Sequence, residues 1–500
     1  MDNNRTNRFA SLLILACFFA PIWSCGDKQE NEEERLENFY TIEDIEIPEE
    51  VHLGEVGGLD FMPNGNLVAC FHRGEVMVYD IESKKWQLFA EGLHDPLGIS
   101  AISNHEILVM QRPELTKLSD LDRNGTAEEY LKVTDGFGLS GNYHEFAYGP
   151  VKDAEGNLFI SLSTASNGAG IWGEKRGELN ELGRPGRMYS AVPYRGWVMK
   201  ITPEGKIEPY AMGFRSPNGI GFDHDGNLFV TDNQGDWLGT SKMYYVEEGK
   251  FYGHVSSLVW KEGWNVDPLT LPVLALDSMR TKAAILFPHN TFSNSPTEIL
   301  PIPEGKFGPY GKQLLVGEMN YPKLLRVMLE EVKGSFQGAT INFLDSTGLS
   351  KGNHRMVFGP DKKSLYVGKT AYTWVGGRGI QKINYNGGTP FDILNMNLSE
   401  NGFKLTYTRP LAPEMGDQPE DYEFVRYYYE YHRDYGSPKM DLQPVKVKSV
   451  KINDERTEVF LELEEMVPGY IYDLKVNSMK CEKGLELMNR RIYYTLNNIL

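Results

Sequence analysis

The chain has 500 residues, 41% of them hydrophobic and 12% aromatic, enough for a large core and for two or more domains. Its formal net charge of −18 argues against the clustered Lys and Arg that hold nucleic acid or an anionic membrane face, and leaves soluble or neutral partners such as sugars.

Arg5 and Arg8 precede the apolar run FASLLILACFFAPIWS, which is too short for a comfortable membrane span. Residues 1–24 therefore make a signal peptide. The sequence then changes abruptly at Cys25 to GDKQENEEER, so Cys25 resembles the lipidated first residue of a bacterial lipoprotein. Cys17 is a competing position, but it would leave FFAPIW at the start of the mature chain. The acidic run after Cys25 resembles the surface-export signal of Bacteroidetes lipoproteins, which implies an outer-membrane location, facing the cell surface or the periplasm. Residues 25–50 form the lipidated acidic linker. Beyond Cys25 only Cys70 and Cys481 remain, and no CxxC or CxxCH occurs, so neither a cysteine zinc site nor a covalent haem is expected.

From residue 51 a unit recurs. Apolar strands follow turns in PNGNLVACF, SNHEILVMQ, AEGNLFISLS, HDGNLFVTD, YGKQLLVGE and KKSLYVGK. Several are preceded by a Gly-bearing strand, as in GGLDFMP, PLGISAI, EFAYGPV, NGIGFDH and RMVFGPD. The intervals run from near the ~40–45 residues of a four-stranded blade to well above it, so the longer ones carry loop insertions. Residues 51–388 are accordingly expected to form a six-bladed β-propeller within an all-β chain. From Thr389 the character changes to alternating strands such as TEVFLELEEM and YIYDLKVNSM, which suggest a small fibronectin III-like β-sandwich over 389–500. Tyr427, Tyr428, Tyr429 and Tyr431 are candidates for packing between domains or for a carbohydrate platform.

Propeller sites gather where the loops entering the innermost strands converge. His144 stands just before the first strand of the third unit, where a near-neutral imidazole suits a general base. Arg215 holds the equivalent place in the fourth unit and Arg355 in the sixth, and either can grip a carboxylate with two hydrogen bonds. After the fourth unit's apolar strand comes Asp232-Asn233-Gln234-Gly235-Asp236, hard oxygen ligands suited to Ca²⁺ or an Asx turn capping the strand. Asp120-Leu121-Asp122-Arg123-Asn124-Gly125 matches the first half of an EF-hand loop, but Leu131 stands where the bidentate Glu is required, and a β-turn is the better reading. No GxSxG, HExxH, P-loop or dinucleotide fingerprint occurs in a credible context.

HEFAYGPVKDAEGNLFISL, GFRSPNGIGFDHDGNLFVTDNQGD, EEGKFYGH and GNHRMVFGPDKKSLYVG together resemble the quinoprotein glucose/sorbosone dehydrogenase propellers, in their secreted bacterial branch with a C-terminal sandwich. The resemblance implies pyrroloquinoline quinone held with Ca²⁺, His144 as the base toward a sugar's anomeric hydroxyl, and Arg215 and Arg355 on the cofactor. It also implies carbonyl oxygens near Asn233, Gln234 and Gly235 for Ca²⁺ and a side chain there for the quinone. Ser216 stands where the family has Asn, and Asn353 about where it has a second Arg. Direct counting places Asn320 at a family Lys, with Lys323 close behind.

Two functions follow from these observations. The first is a lipid-anchored, quinone- and Ca²⁺-dependent sugar dehydrogenase that passes electrons to a separate acceptor, with His144 and Arg215 at the chemistry. The second is a non-redox propeller that binds glycan or acts as a carbohydrate lyase or hydrolase with the same residues.

Overall fold

The computed structural model describes residues 39–166, 175–184, 186–345, 348–371 and 375–500. The expected signal segment 1–24 and Cys25 lie outside the described residues. The regular structure of the described residues is nearly all strand, with a short helix at Val273–Met279. Among the described residues no helix is long and apolar enough to cross a membrane.

The first four recurring units each become a four-stranded antiparallel sheet, the fifth gives four strands to a larger sheet and the sixth gives three. The first strands of these sheets are Val56–Phe61, Gly98–Ala101, Ala147–Lys152, Gly219–Phe222, Pro296–Pro301 and Asn353–Phe358. Each touches the next, and the last touches the first, so they close a ring. The approach is tight enough to require glycine: a Cβ on Gly98 would overlap the carbonyl oxygen of Gly149 in the neighbouring sheet. The second strands are buried along nearly their whole length, Leu67–Phe71 and Leu228–Asp232 entirely so, which explains their unbroken apolar runs. In the turn before the latter, Asp223 accepts from the backbone N–H of Asp225 and Asn227 and from the Asn227 side chain. The middle of HDGNLFVTD is therefore scaffold.

The structure corrects one boundary. Residues 40–45, expected within a linker, form the strand Tyr40–Ile45, paired with Ile380–Tyr385 from Tyr40↔Tyr385 to Ile45↔Ile380. The sixth sheet draws only three strands from its own segment, and this N-terminal strand supplies the fourth, so both ends of the ring meet in one sheet. Tyr40 anchors it, its ring packed on Phe307, Phe343 and Tyr385. The acidic composition around the strand concealed it.

Residues 389–500 are joined to the ring through a shared sheet. Their strand Arg491–Leu496 pairs with Ser335–Phe343 of the fifth ring sheet, Gly338↔Thr495 to Ile341↔Ile492, so that sheet runs on into Tyr470–Val476, Tyr422–Tyr428 and Met440–Val445. A second sheet of Ile393–Ser399, Gly402–Tyr407, Glu458–Leu463 and Val447–Ile452 contributes Phe403, Leu405 and Leu461 to the same core as Phe424, Leu474 and Tyr494. The junction is pinned by a buried ion pair, Arg326 Nη2 to Asp392 Oδ2 at 2.7 Å, with both side chains fully excluded from solvent. Tyr427 and Tyr431 serve packing: Tyr427 joins a core with Phe229 and Met243 of the ring, and Tyr431 donates its hydroxyl to Gly253 O at 2.7 Å.

Candidate active site

At one end of the ring the loops enclose a cavity of about 440 Å³. Its lining includes His72, His144, Arg187, Arg215, Asn233, Gln234, Asn320, His354 and Tyr435, and among the described residues no Asp or Glu. Two guanidinium groups face a space on whose walls no described residue places a carboxylate. That arrangement favours an anionic ligand.

His144 is held from both sides. Asn142 Oδ1 accepts from the His144 backbone N–H at 3.0 Å, and the ring's Nδ1 lies 2.8 Å from Thr164 O. A carbonyl can only accept, so Nδ1 carries the proton and Nε2 keeps its lone pair. Burial, then the nearby charges of Arg215 and Arg112, lower its pKa to about 3, so the ring stays neutral at physiological pH. Thr164 also ties the His to the Arg: its N–H and hydroxyl both donate to Arg215 O, at 3.0 and 2.9 Å.

Arg215 is 8% exposed, and its backbone N–H and that of Ser216 donate to the two oxygens of Asp232, at 3.1 and 2.6 Å. Its side chain crosses Gly235, where a Cβ would overlap Cδ and Nε of the arginine. Its Nε has no hydrogen-bond partner, and the guanidinium lies 5.5 Å from the centre of the Tyr435 ring, which also carries Arg187 at 3.9 Å. Asn233 Oδ1, Asn320 Oδ1 and His289 Nδ1, also at the cavity, are likewise buried without partners. Orphaned buried polar atoms are rare in folded proteins, and a cluster of them around one cavity marks a place for a ligand or water. A Gly235→Ala substitution is expected to displace the Arg215 side chain. It should forfeit part of a charged hydrogen bond worth about 1.5–3 kcal/mol to an anionic ligand, with little change in melting temperature, as calorimetric titration and a thermal scan would read.

Of the other expected residues, Asn233, Gln234 and Asn320 reach the cavity, whereas Asp232, Gly235, Asp236, Lys323 and Arg355 do not line it. Arg355 is turned into the ring, where its guanidinium donates to the carbonyl oxygens of Gly57, Leu97, Asn218 and His354. Lys323 donates to Asn342 Oδ1 at 3.0 Å and lies over the ring of Phe292. Asp232 is spent on the backbone of Arg215 and Ser216 and on Lys242, while Asp236 Oδ2 faces His254 Nε2 at 3.4 Å and the N–H of Met188 at 3.3 Å. Asp120, Asp122 and Glu128 cluster in the turn between Leu115–Ser119 and Glu129–Thr134, where Asp122 and Asp120 accept from the backbone of Asn124 and Gly125.

Sequence reasoning missed His72, His289, His354, Arg187 and Tyr435. The offset argument chose Arg355, but a bulge between Asn353 and Arg355 leaves His354 as the extra residue, and it is His354 that lines the cavity. Tyr435 arrives on the strand Tyr431–Tyr435, which pairs with Asp236–Leu238 and so brings the C-terminal region to the cavity mouth.

Several solved structures are similar to the chain. An oxidoreductase (glucose dehydrogenase) from Thermus thermophilus is 17% identical and has a TM-score of 0.48, with 69% of this chain and 99% of that one covered. The PQQ-bound form of aldose sugar dehydrogenase from Streptomyces coelicolor is 13% identical, TM-score 0.47, covering 69% and 98%. The apo form of the soluble aldose sugar dehydrogenase from Escherichia coli is 14% identical, TM-score 0.46, covering 69% and 99%. No curated protein matches the chain. A family model matches residues 79–367, more than half of the sequence, and the chain belongs to the family that it describes, Domain of unknown function (DUF7133).

Proposed function

We propose that the chain is a quinone-dependent oxidoreductase of the sugar-dehydrogenase type. In this reading the closed ring is a six-bladed β-propeller, residues 389–500 add a fibronectin III-like sandwich, and Cys25 anchors the exported protein by lipid to the outer membrane. The observation that carries the reading is His144, a neutral imidazole with its Nδ1 proton fixed on Thr164 O and its Nε2 lone pair free, in a cavity where no described residue offers a carboxylate, beside a buried arginine whose Nε has no partner.

The residues present fit pyrroloquinoline quinone in charge and shape. Arg215 and Arg187 offer guanidinium groups to its carboxylates, and Tyr148, Phe146 and Tyr435 give aromatic wall for its rings. When bound, the quinone supplies the hydride acceptor. His144 Nε2 removes the proton from the hydroxyl on the anomeric carbon as the hydride leaves that carbon, giving a lactone from an aldose. Thr164 keeps the imidazole in the productive tautomer and, through Arg215 O, keeps base and arginine in fixed relation. A separate carrier then takes the electrons.

The test is dye-linked oxidation of a panel of aldoses by the purified protein after incubation with the quinone. Turnover that depends on the quinone is expected; none with any aldose would overturn the reading.

A further inference from the structure

This inference rests on the reading of the cavity as a site for a carboxylate-bearing quinone, and concerns the cation that accompanies it. The loop Asp232-Asn233-Gln234-Gly235-Asp236 has the composition of a hard-oxygen metal site, yet protein donors already use both Asp232 oxygens and the backbone carbonyls of Asn233 and Gly235. Both carboxylate oxygens of Asp232 receive backbone N–H groups. Gly235 O accepts from Gly436 N at 3.0 Å, and the Gln234 amide donates to Gly239 O at 3.0 Å. Into this cluster comes Lys242, whose side chain is 1% exposed, with its Nζ 2.9 Å from Asn233 O and 3.5 Å from Asp232 Oδ2.

The placement is set by strand register, because Asp232 and Lys242 are direct cross-strand partners in the fourth sheet. A Ca²⁺ ion bound through Asn233 O at about 2.3–2.6 Å would stand against that ammonium, and displacing the ammonium would leave a buried charge unpaired. Asp236 Oδ1 and Asn233 Oδ1 are the buried side-chain oxygens of the loop without a hydrogen-bond partner, but Asp236 does not line the cavity, and the backbone carbonyl of Asn233 is already held by the Lys242 ammonium. We infer that the Lys242 ammonium replaces a divalent cation beneath the cavity, and that an anionic ligand binds here without Ca²⁺. Asp232 offsets Lys242, which leaves Arg215 and Arg187 as the positive charges facing the ligand.

The experiment is calorimetric titration of the detergent-solubilised full chain carrying Asp122→Asn and Glu128→Gln, changes that remove the exposed acidic cluster in the Leu115–Thr134 hairpin. Ca²⁺ alone should give no binding heat, and quinone affinity should agree within about twofold between EGTA and millimolar Ca²⁺. Ca²⁺ binding, or quinone affinity raised about tenfold or more by Ca²⁺, would overturn the inference. Lys242→Met should weaken quinone binding in EGTA about tenfold, with Lys242→Arg recovering part of the loss; unchanged affinity in a folded Lys242→Met protein would also overturn it. If Lys242→Met fails to fold, the EGTA comparison decides. If quinone binds under neither condition, the quinone reading fails, while the titration with Ca²⁺ alone still supports or overturns the absence of a metal.

Discussion

A His144→Gln enzyme reconstituted with quinone is expected to lose about 10²–10⁴-fold in kcat while its affinity for the quinone changes little. Glutamine can keep a hydrogen bond to Thr164 O through its amide N–H and present an oxygen to the cavity, so shape and polarity are preserved and only the basic nitrogen is lost. Comparable activity in the variant would remove His144 as the base. The same residue predicts a pH dependence of stability. Its pKa is lowered to about 3 in the folded chain, whereas an imidazole in an unfolded chain titrates near 6.5. Above about pH 6.5 both states are neutral and the ring contributes no slope; as pH falls below that value, the unfolded chain takes up a proton that the folded chain refuses, and stability declines. Thermal scans at about pH 7 and pH 5 should show a smaller loss for His144→Gln than for the parent.

The largest effect on stability is expected at the junction of the ring and the C-terminal sheets. Arg326→Ala leaves the Asp392 carboxylate buried with only Tyr310, Asn489 and the Ile393 backbone N–H as donors. Burial already pushes the pKa of this carboxyl upward against the pull of Arg326. Removing one partner of a buried pair costs about 3–5 kcal/mol, so denaturant unfolding should shift by that amount. Replacing both partners with apolar residues should recover much of it, because no buried charge then remains. A loss below about 1 kcal/mol for Arg326→Ala would mean that the pair behaves like a surface salt bridge and does not pin the junction.

The recurring strand and turn were legible because both faces of each second strand are buried, which writes a continuous apolar run into the sequence. His144 and Arg215 were legible because they enter the first strands of consecutive sheets at similar offsets. The offset failed at Arg355 because a bulge is invisible to counting: one extra residue turns the arginine into the ring and His354 toward the cavity. It failed at Asp232 and Asp236 because composition identifies hard oxygens but not what already uses them. Lys242 lies only ten positions after Asp232, yet its importance appears once the strands are in register. Tyr435 and the strand at Tyr40–Ile45 were hidden for a related reason, since each joins a sheet whose other strands lie far away in sequence.

The central claim is that Arg215 and the surrounding cavity hold a carboxylate-bearing quinone against His144. Titration of the purified chain with pyrroloquinoline quinone, parent against Arg215→Met, tests it most directly. Saturable binding with one quinone per chain, weakened about tenfold or more by the substitution, is the predicted result. Binding that is absent from the parent, or is unchanged by Arg215→Met, would contradict it.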